Sequence, residues 1–202
     1  MYIPQHYKNE ELAEVKEFIM DNAFAILVSE VDKRPWATHI PLELQLDESG
    51  KEILVGHISK ANPQWKYFEK QKEVLCIFNG PHSYISSSWY KEEEVPTWNY
   101  IAVHIYGKLV ILDEAAVLKS LHKLVDKYEF ESKNPISIHD LSRKTMRQLK
   151  GIVGFKIEIT EIQAAYKLSQ GREHDFENIT KELEVRGTGS KAIAAAMNKN
   201  TK

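Results

Sequence analysis

A Ser/Lys pair at the mouth of a helix is the first place in this chain where side chains could do chemistry. In His57-Ile58-Ser59-Lys60-Ala61-Asn62-Pro63-Gln64-Trp65 a strand-like run gives way to a helix start. Asn62 stands at the cap and Pro63 at the first helical position. A hydroxyl, a cation and free backbone N–H groups beside a helix N-terminus suit a phosphate monoester. Ser59 and Asn62 serve equally as ordinary caps, so the residues alone leave both readings open.

A second concentration lies between positions 80 and 106. Gly80-Pro81-His82-Ser83-Tyr84-Ile85-Ser86-Ser87-Ser88-Trp89-Tyr90 sets hydroxyls beside Tyr and Trp, and Trp98-Asn99-Tyr100 with Val103-His104-Ile105-Tyr106 continues the aromatics. A planar heteroaromatic ligand needs flat apolar walls and a few directional hydrogen-bonding groups. The same rings would also fill a barrel core or a subunit interface. Downstream, Lys167-Leu168-Ser169-Gln170-Gly171-Arg172 places two cations five residues apart around a single apolar side chain. It reads as a strap over a ligand or a partner subunit, or as a solvated loop.

Other chemistries find little footing. His39, His57 and His104 fall on different predicted strands, and no ligand spacing such as His-Glu-x-x-His occurs, so no metal site is expected. There is no Gly-x-Ser-x-Gly elbow, Walker loop or dinucleotide fingerprint. No catalytic residue is assigned; His39, His57, His82 and His104 remain candidates for a general acid. The single cysteine, Cys76, sits in the apolar run Val74 to Phe78, which rules out an internal disulfide framework and a cysteine zinc cluster.

The elements that must position these groups follow from periodicity. Asn9-Glu10-Glu11 starts a helix whose Leu12, Val15, Phe18 and Ile19 recur at helical spacing, with a stop at Asn22. Strands are predicted at 24–29, 36–46, 52–57, 74–79, 97–112 and 154–160. Asp32-Lys33 and Asp47-Glu48-Ser49-Gly50 are the turn signals, and Gly80-Pro81 is read as a break. Asp113 caps a helix with an apolar stripe at Val117, Leu118, Leu121, Leu124 and Val125. Ser137 with Asp140 starts another, running to about Lys150. The chain beyond Arg172 reads as two helical pieces parted at 187–189. The expectation is an α+β fold on a barrel-like antiparallel sheet with inserted and C-terminal helices. One domain is expected over 1–186, with a helical or mobile tail over 187–202.

Composition sets the outer limits. Of 202 residues 43% are hydrophobic and 28% charged, which excludes wholesale disorder. Lys and Arg number 27 against 29 Asp and Glu, a net charge of −2. Such a chain has no global field for nucleic acid, and no helix-turn-helix spacing stands out. The basic tail residues Lys181, Arg186, Lys191, Lys199 and Lys202 face Glu182 and Glu184, so direct DNA contact has weak support. No apolar run approaches the roughly 20 residues of a membrane span and no signal peptide is visible. A cytoplasmic protein with no membrane association is expected.

Four of these stretches together carry a resemblance: Ala61 to Trp65 (ANPQW), Gly80 to Tyr90 (GPHSYISSSWY), Pro96 to Gly107 (PTWNYIAVHIYG) and Lys167 to Arg172 (KLSQGR). In that order they make the chain similar to the PaiB-like family, FMN-binding negative transcriptional regulators with a split β-barrel fold, almost to Leu183. Ser87 replaces a Pro, and Gly171 an Asn, that are usual in the family pattern. The resemblance implies FMN as cofactor, a homodimer sharing the flavin site, and repression of sporulation and protease-synthesis genes. It also implies cofactor contacts drawn from Thr38, His39, His57, Ser59, Lys60, Asn62, Gln64, Trp65, Tyr84, Ser86, Trp89, Trp98, Asn99, Tyr100, Lys167 and Arg172. The alternative is a flavin-dependent oxidoreductase or a haem-binding or haem-degrading split-barrel enzyme.

Overall fold

Alternation of apolar and polar side chains builds the sheet of this protein, a computed structural model in which residues 1–71 and 73–200 are described. Helix α1 (Leu12–Asp21) buries Val15, Phe18 and Ile19 and is preceded by Asn9, whose side-chain oxygen accepts the Glu11 N–H. Strand β1 (Phe24–Val31) buries every second residue from Ala25 to Val31 and pairs antiparallel with β2 (Arg34–Pro41). Between them Asp32 and Lys33 take φ values of 50° and 62°, as a two-residue hairpin turn requires. Strand β3 (Glu43–Leu46) pairs with β4 (Glu52–Ser59) across a turn in which the Asp47 carboxylate accepts the N–H groups of Ser49 and Lys51.

The longer strands are β5 (Val74–Ile85), β6 (Thr97–Ile111) and β7 (Ile152–Lys167). Helix α2 (Glu114–Glu129) is capped by Asp113, whose carboxylate accepts the Ala116 N–H at 2.8 Å. The short α3 (Arg143–Met146) precedes β7, and α4 (Phe176–Glu184) and α5 (Thr188–Asn200) follow it. The seven strands form one sheet in the order β2-β1-β5-β6-β7-β4-β3, the α+β arrangement expected. Cys76 on β5 is fully buried, and burial pushes its thiol far up. Among the described residues no helix is long and apolar enough to cross a membrane.

Three local expectations differ from the structure. The predicted strand 36–46 is two strands, because Leu42 turns inward, fully buried, with its N–H donating to the Ala23 carbonyl at 2.8 Å. Gly80-Pro81 does not break β5. A Cβ at Gly80 would lie 2.4 Å from the Phe18 ring, so this glycine makes room for a helix side chain. The helix expected from Ser137 to about Lys150 is three short turns. The Ser137–Asp140 capping box forms, but Ser142 is a second cap in extended conformation and restarts the chain. The segment expected as a tail contains α5, with Ile193, Ala194 and Met197 buried; Thr201 and Lys202 lie outside the described residues.

The chain divides into two compact units. One comprises Met1–Phe18, Phe78–His104 and Gln163–Lys202, the other Ile19–Ile77 and Ile105–Ile162. In the second of these, Gly107 lets β6 and β7 approach closely. A Cβ there would sit 2.5 Å from Ile157 Cγ2 and 2.6 Å from the Glu158 carbonyl oxygen. Since backbone as well as a side chain must move, Gly107→Ala is expected to cost about 1–3 kcal/mol. The measurement is the urea midpoint at unchanged slope; a midpoint equal to wild type would show that the strands separate freely at this point.

Candidate functional site

In the second unit a buried amide organises the loop that carries the Ser/Lys pair. Gln64 is fully buried at the start of the 3-10 turn Pro63–Lys70. Its Nε2 donates to Ser29 Oγ at 2.8 Å and to the Leu27 carbonyl at 3.3 Å, and its Oε1 accepts from Thr38 Oγ1 at 2.6 Å. Thr38 Oγ1 in turn accepts from Asn62 Nδ2 at 2.8 Å, while Asn62 Oδ1 caps the turn by accepting the Gln64 N–H. Thr38, Asn62 and Gln64 are thus brought together, and their polar atoms are engaged with one another. Trp65 is fixed as well, its Nε1 donating to the Lys60 carbonyl at 3.0 Å.

Lys60 and Trp65 line a cavity of about 710 Å³. Its apolar wall is made by Ile111, Leu112, Val117, Leu118, Met146 and Leu149 with the start of β7. Arg143, Arg147 and Lys150 join Lys60 on its lining, with Glu114 the single acid. Among the described residues none of these four cations has an ion-pair partner. The Lys60 N–H donates to the Gly151 carbonyl at 2.8 Å, and Ser59 pairs with Ile152 across β4 and β7, so the two cation-bearing segments are hydrogen-bonded neighbours. Ser59 Oγ accepts from the Ala61 N–H, which leaves its own O–H to donate. Arg143, Arg147 and Lys150 were not among the sequence candidates. The available signal was a ten-residue tract, 142–151, with four cations and no acid.

His39 and His57 lie elsewhere in this unit. His39 is exposed on β2 and stacks on Phe24, with ring centroids 6.4 Å apart. His57 is half-buried beneath α2, beside Leu121 and Leu124, and burial holds its imidazole below the ordinary value. A neutral imidazole there is a hydrogen-bonding group rather than a cation.

The remaining candidates belong to the other unit. Trp98 is 52% exposed on β6 and forms an aromatic group with His82 and Tyr84, at centroid distances of 5.5 and 6.2 Å. Tyr100 is half-buried on the same strand. Asn99 is fully buried; its Nδ2 donates to Ser169 Oγ at 2.8 Å and its Oδ1 has no partner among the described residues. Ser86 caps the turn Ser87–Trp89. Trp89 is buried, its carbonyl accepting from Asn178 Nδ2 and the Arg186 guanidinium lying 4.4 Å over its ring. Lys167 Nζ donates to Thr97 Oγ1 and stands 5.6 Å over the Tyr7 ring, and burial lowers its ammonium pKa. Arg172 pairs with Glu94 and lies 5.3 Å over Tyr90. One arm of its planar fork is therefore engaged within the chain. The Val95 N–H and this guanidinium hold the Glu94 carboxyl below its ordinary range.

Residues 1–161 match the family described as "Putative FMN-binding domain". The chain is 45% identical over 186 residues, 91% of its length and 89% of the relative's, to the "Protease synthase and sporulation protein PAI 2" of Bacillus subtilis. Among solved structures it is similar to the FAD and haem binding protein of Mycobacterium smegmatis, with a TM-score of 0.63 and 13% identity over 85% of this chain and 79% of that one. It is also similar to the flavocytochrome Anf3 of Azotobacter vinelandii, with a TM-score of 0.60 and 17% identity over 87% and 78% of the two chains. The two structural likenesses show a common fold.

Gln64→Leu removes the amide while keeping the volume near, leaving Ser29, Thr38 and the Leu27 carbonyl to find other partners. A loss of about 1–3 kcal/mol is expected. Thr38→Val should cost less in the Gln64→Leu background than alone, because one of the two hydrogen bonds it breaks, that to Gln64, is already gone. Thermal or urea unfolding of the four proteins reads this coupling, and strict additivity would show that the network is not one unit.

Proposed function

The chain belongs to the FMN-binding domain family, and from that premise we propose that it is a negative transcriptional regulator that holds FMN in the 710 Å³ cavity. Its fold is that of the flavin-binding split barrels, and FMN is its cofactor. The observation that carries the placement is Lys60, a cation with no ion-pair partner among the described residues, on the lining of a large, apolar-walled cavity. A flavin phosphate asks for a cation and hydroxyl donors, and its ring asks for apolar walls. Lys60 meets the first need, with the Ser59 hydroxyl next to it in the chain though off the cavity lining; Trp65, Val117, Leu118 and Met146 meet the second.

When bound, the flavin supplies electron-transfer chemistry, and the chain supplies binding and orientation. Lys60 neutralises phosphate charge, Ser59 donates its hydroxyl proton, and the Thr38–Asn62–Gln64 network fixes the loop on which both stand. Trp65, tethered through its indole N–H, presents a ring that does not have to be ordered on binding. The same reading takes the protein as a cytoplasmic homodimer, with the exposed Trp98–Tyr84–His82 group supporting an aromatic contact with a second copy. The regulatory part rests on the name of the Bacillus relative and on the sequence resemblance.

Titration with FMN, followed by quenching of flavin fluorescence, tests the placement. Lys60→Ala should weaken binding by about 1.5–3 kcal/mol, roughly ten- to a hundredfold in Kd. An unchanged Kd would move the phosphate away from Lys60.

A further inference from the structure

The cavity holds more positive charge than Lys60 accounts for. Arg143 and Arg147 lie four residues apart, one turn of helix, and both line it; Lys144 and Gln148, the next residues along the chain, do not. Like charges at this spacing oppose helix formation. Here they sit where the chain is broken into short turns, on exposed side chains that form no ion pair among the described residues, with Glu114 the one acid on the lining against four cations. A guanidinium does not lose its proton at any ordinary pH, so this excess of positive charge persists and suits an anionic ligand. The bond from the Lys60 N–H to the Gly151 carbonyl and the pairing of Ser59 with Ile152 join the tract to the Ser59-Lys60 loop.

We propose that Arg143 and Arg147 clamp the phosphate of the bound flavin together with Lys60, and so set the preference for FMN over riboflavin. This rests on the FMN placement above and adds to it the residues that read the phosphate. A phosphate monoester carries nearly two negative charges near neutral pH and three acceptor oxygens, enough for two planar forks and an ammonium. Riboflavin offers the same ring and side chain without the anion, and gains nothing from the arginines. The tract is then a specificity element: apolar walls admit any flavin, and the arginines retain the phosphorylated one.

The experiment titrates wild type, Arg143→Ala/Arg147→Ala and Lys144→Ala with FMN and with riboflavin, at low and at high salt. The double variant should lose FMN affinity by about a hundredfold or more, on the scale of two charge-assisted hydrogen bonds, and keep its riboflavin affinity. Its FMN binding should also depend less on salt than that of wild type. Lys144→Ala should match wild type for both ligands, which separates the clamp from a general effect of surface charge. A double variant that binds FMN as wild type does overturns the clamp and leaves the FMN placement standing. Parallel loss of both flavins also overturns it, since the arginines would then shape the cavity rather than read the phosphate. A wild type indifferent to FMN overturns clamp and placement together.

Discussion

The hydrogen bonds of one buried amide hold the candidate site in place. Gln64 has no exposed surface, so leaving its amide unpaired would cost more than any one of its bonds contributes. That asymmetry forces the 3-10 turn to dock where Ser29, Leu27 and Thr38 can satisfy it. The docking fixes Asn62, Asn62 caps the turn, and the turn sets the course of Ser59 to Trp65. A loop that would otherwise sample many conformations is held by polar groups that are not on the cavity lining. The arrangement separates two tasks that often compete: the groups that hold the loop are spent internally, and those left for a ligand are Lys60, the Ser59 hydroxyl and the Trp65 ring.

The other unit solves a similar problem with different contacts. The stretch from Ser86 to Val95 contains three serines and three consecutive glutamates and has little apolar surface to bury beyond Trp89. It is held instead by its flanks. The Lys91 N–H donates to Asp175, Asn178 holds the Trp89 carbonyl, and Arg172 and Arg186 lie over Tyr90 and Trp89. Arginine can stack and pair in one geometry, as Arg172 does here, which a lysine cannot reproduce.

Much of this was legible in the sequence because it depends on local chemistry. Asn62-Pro63, Asp113 and Ser137 cap where their types and neighbours require, and Asp32-Lys33 turns between two strands. The missed features share a cause: each is decided by a partner distant in sequence. Gly80 is a pause in the pattern until Phe18 is seen to fill the space of its missing side chain. The tract from Arg143 to Lys150 looks like a solvated helix end until Lys60 is found beside it. Gln64 stood in the right motif, but only its contacts with β1 and β2 show that its amide serves the loop from inside. Arg172 was legible as one of two cations in a strap-like segment, and the carboxylate it meets, Glu94, lies 78 positions earlier.

Cys76 has a consequence of another kind. It is the chain's one thiol, it sits fully buried in the middle of the sheet on β5, and its environment strongly disfavours the thiolate. A disulfide reagent can therefore reach it only through openings that expose this strand. The native sequence carries its own clock: the labelling rate at increasing reagent concentration passes from reporting the population of the open form to reporting the rate of opening itself. Partial openings at the rim of the cavity would leave that clock silent. The difference between thiol labelling and a surface probe would then separate motions of the loops from unfolding of the sheet, without an added label.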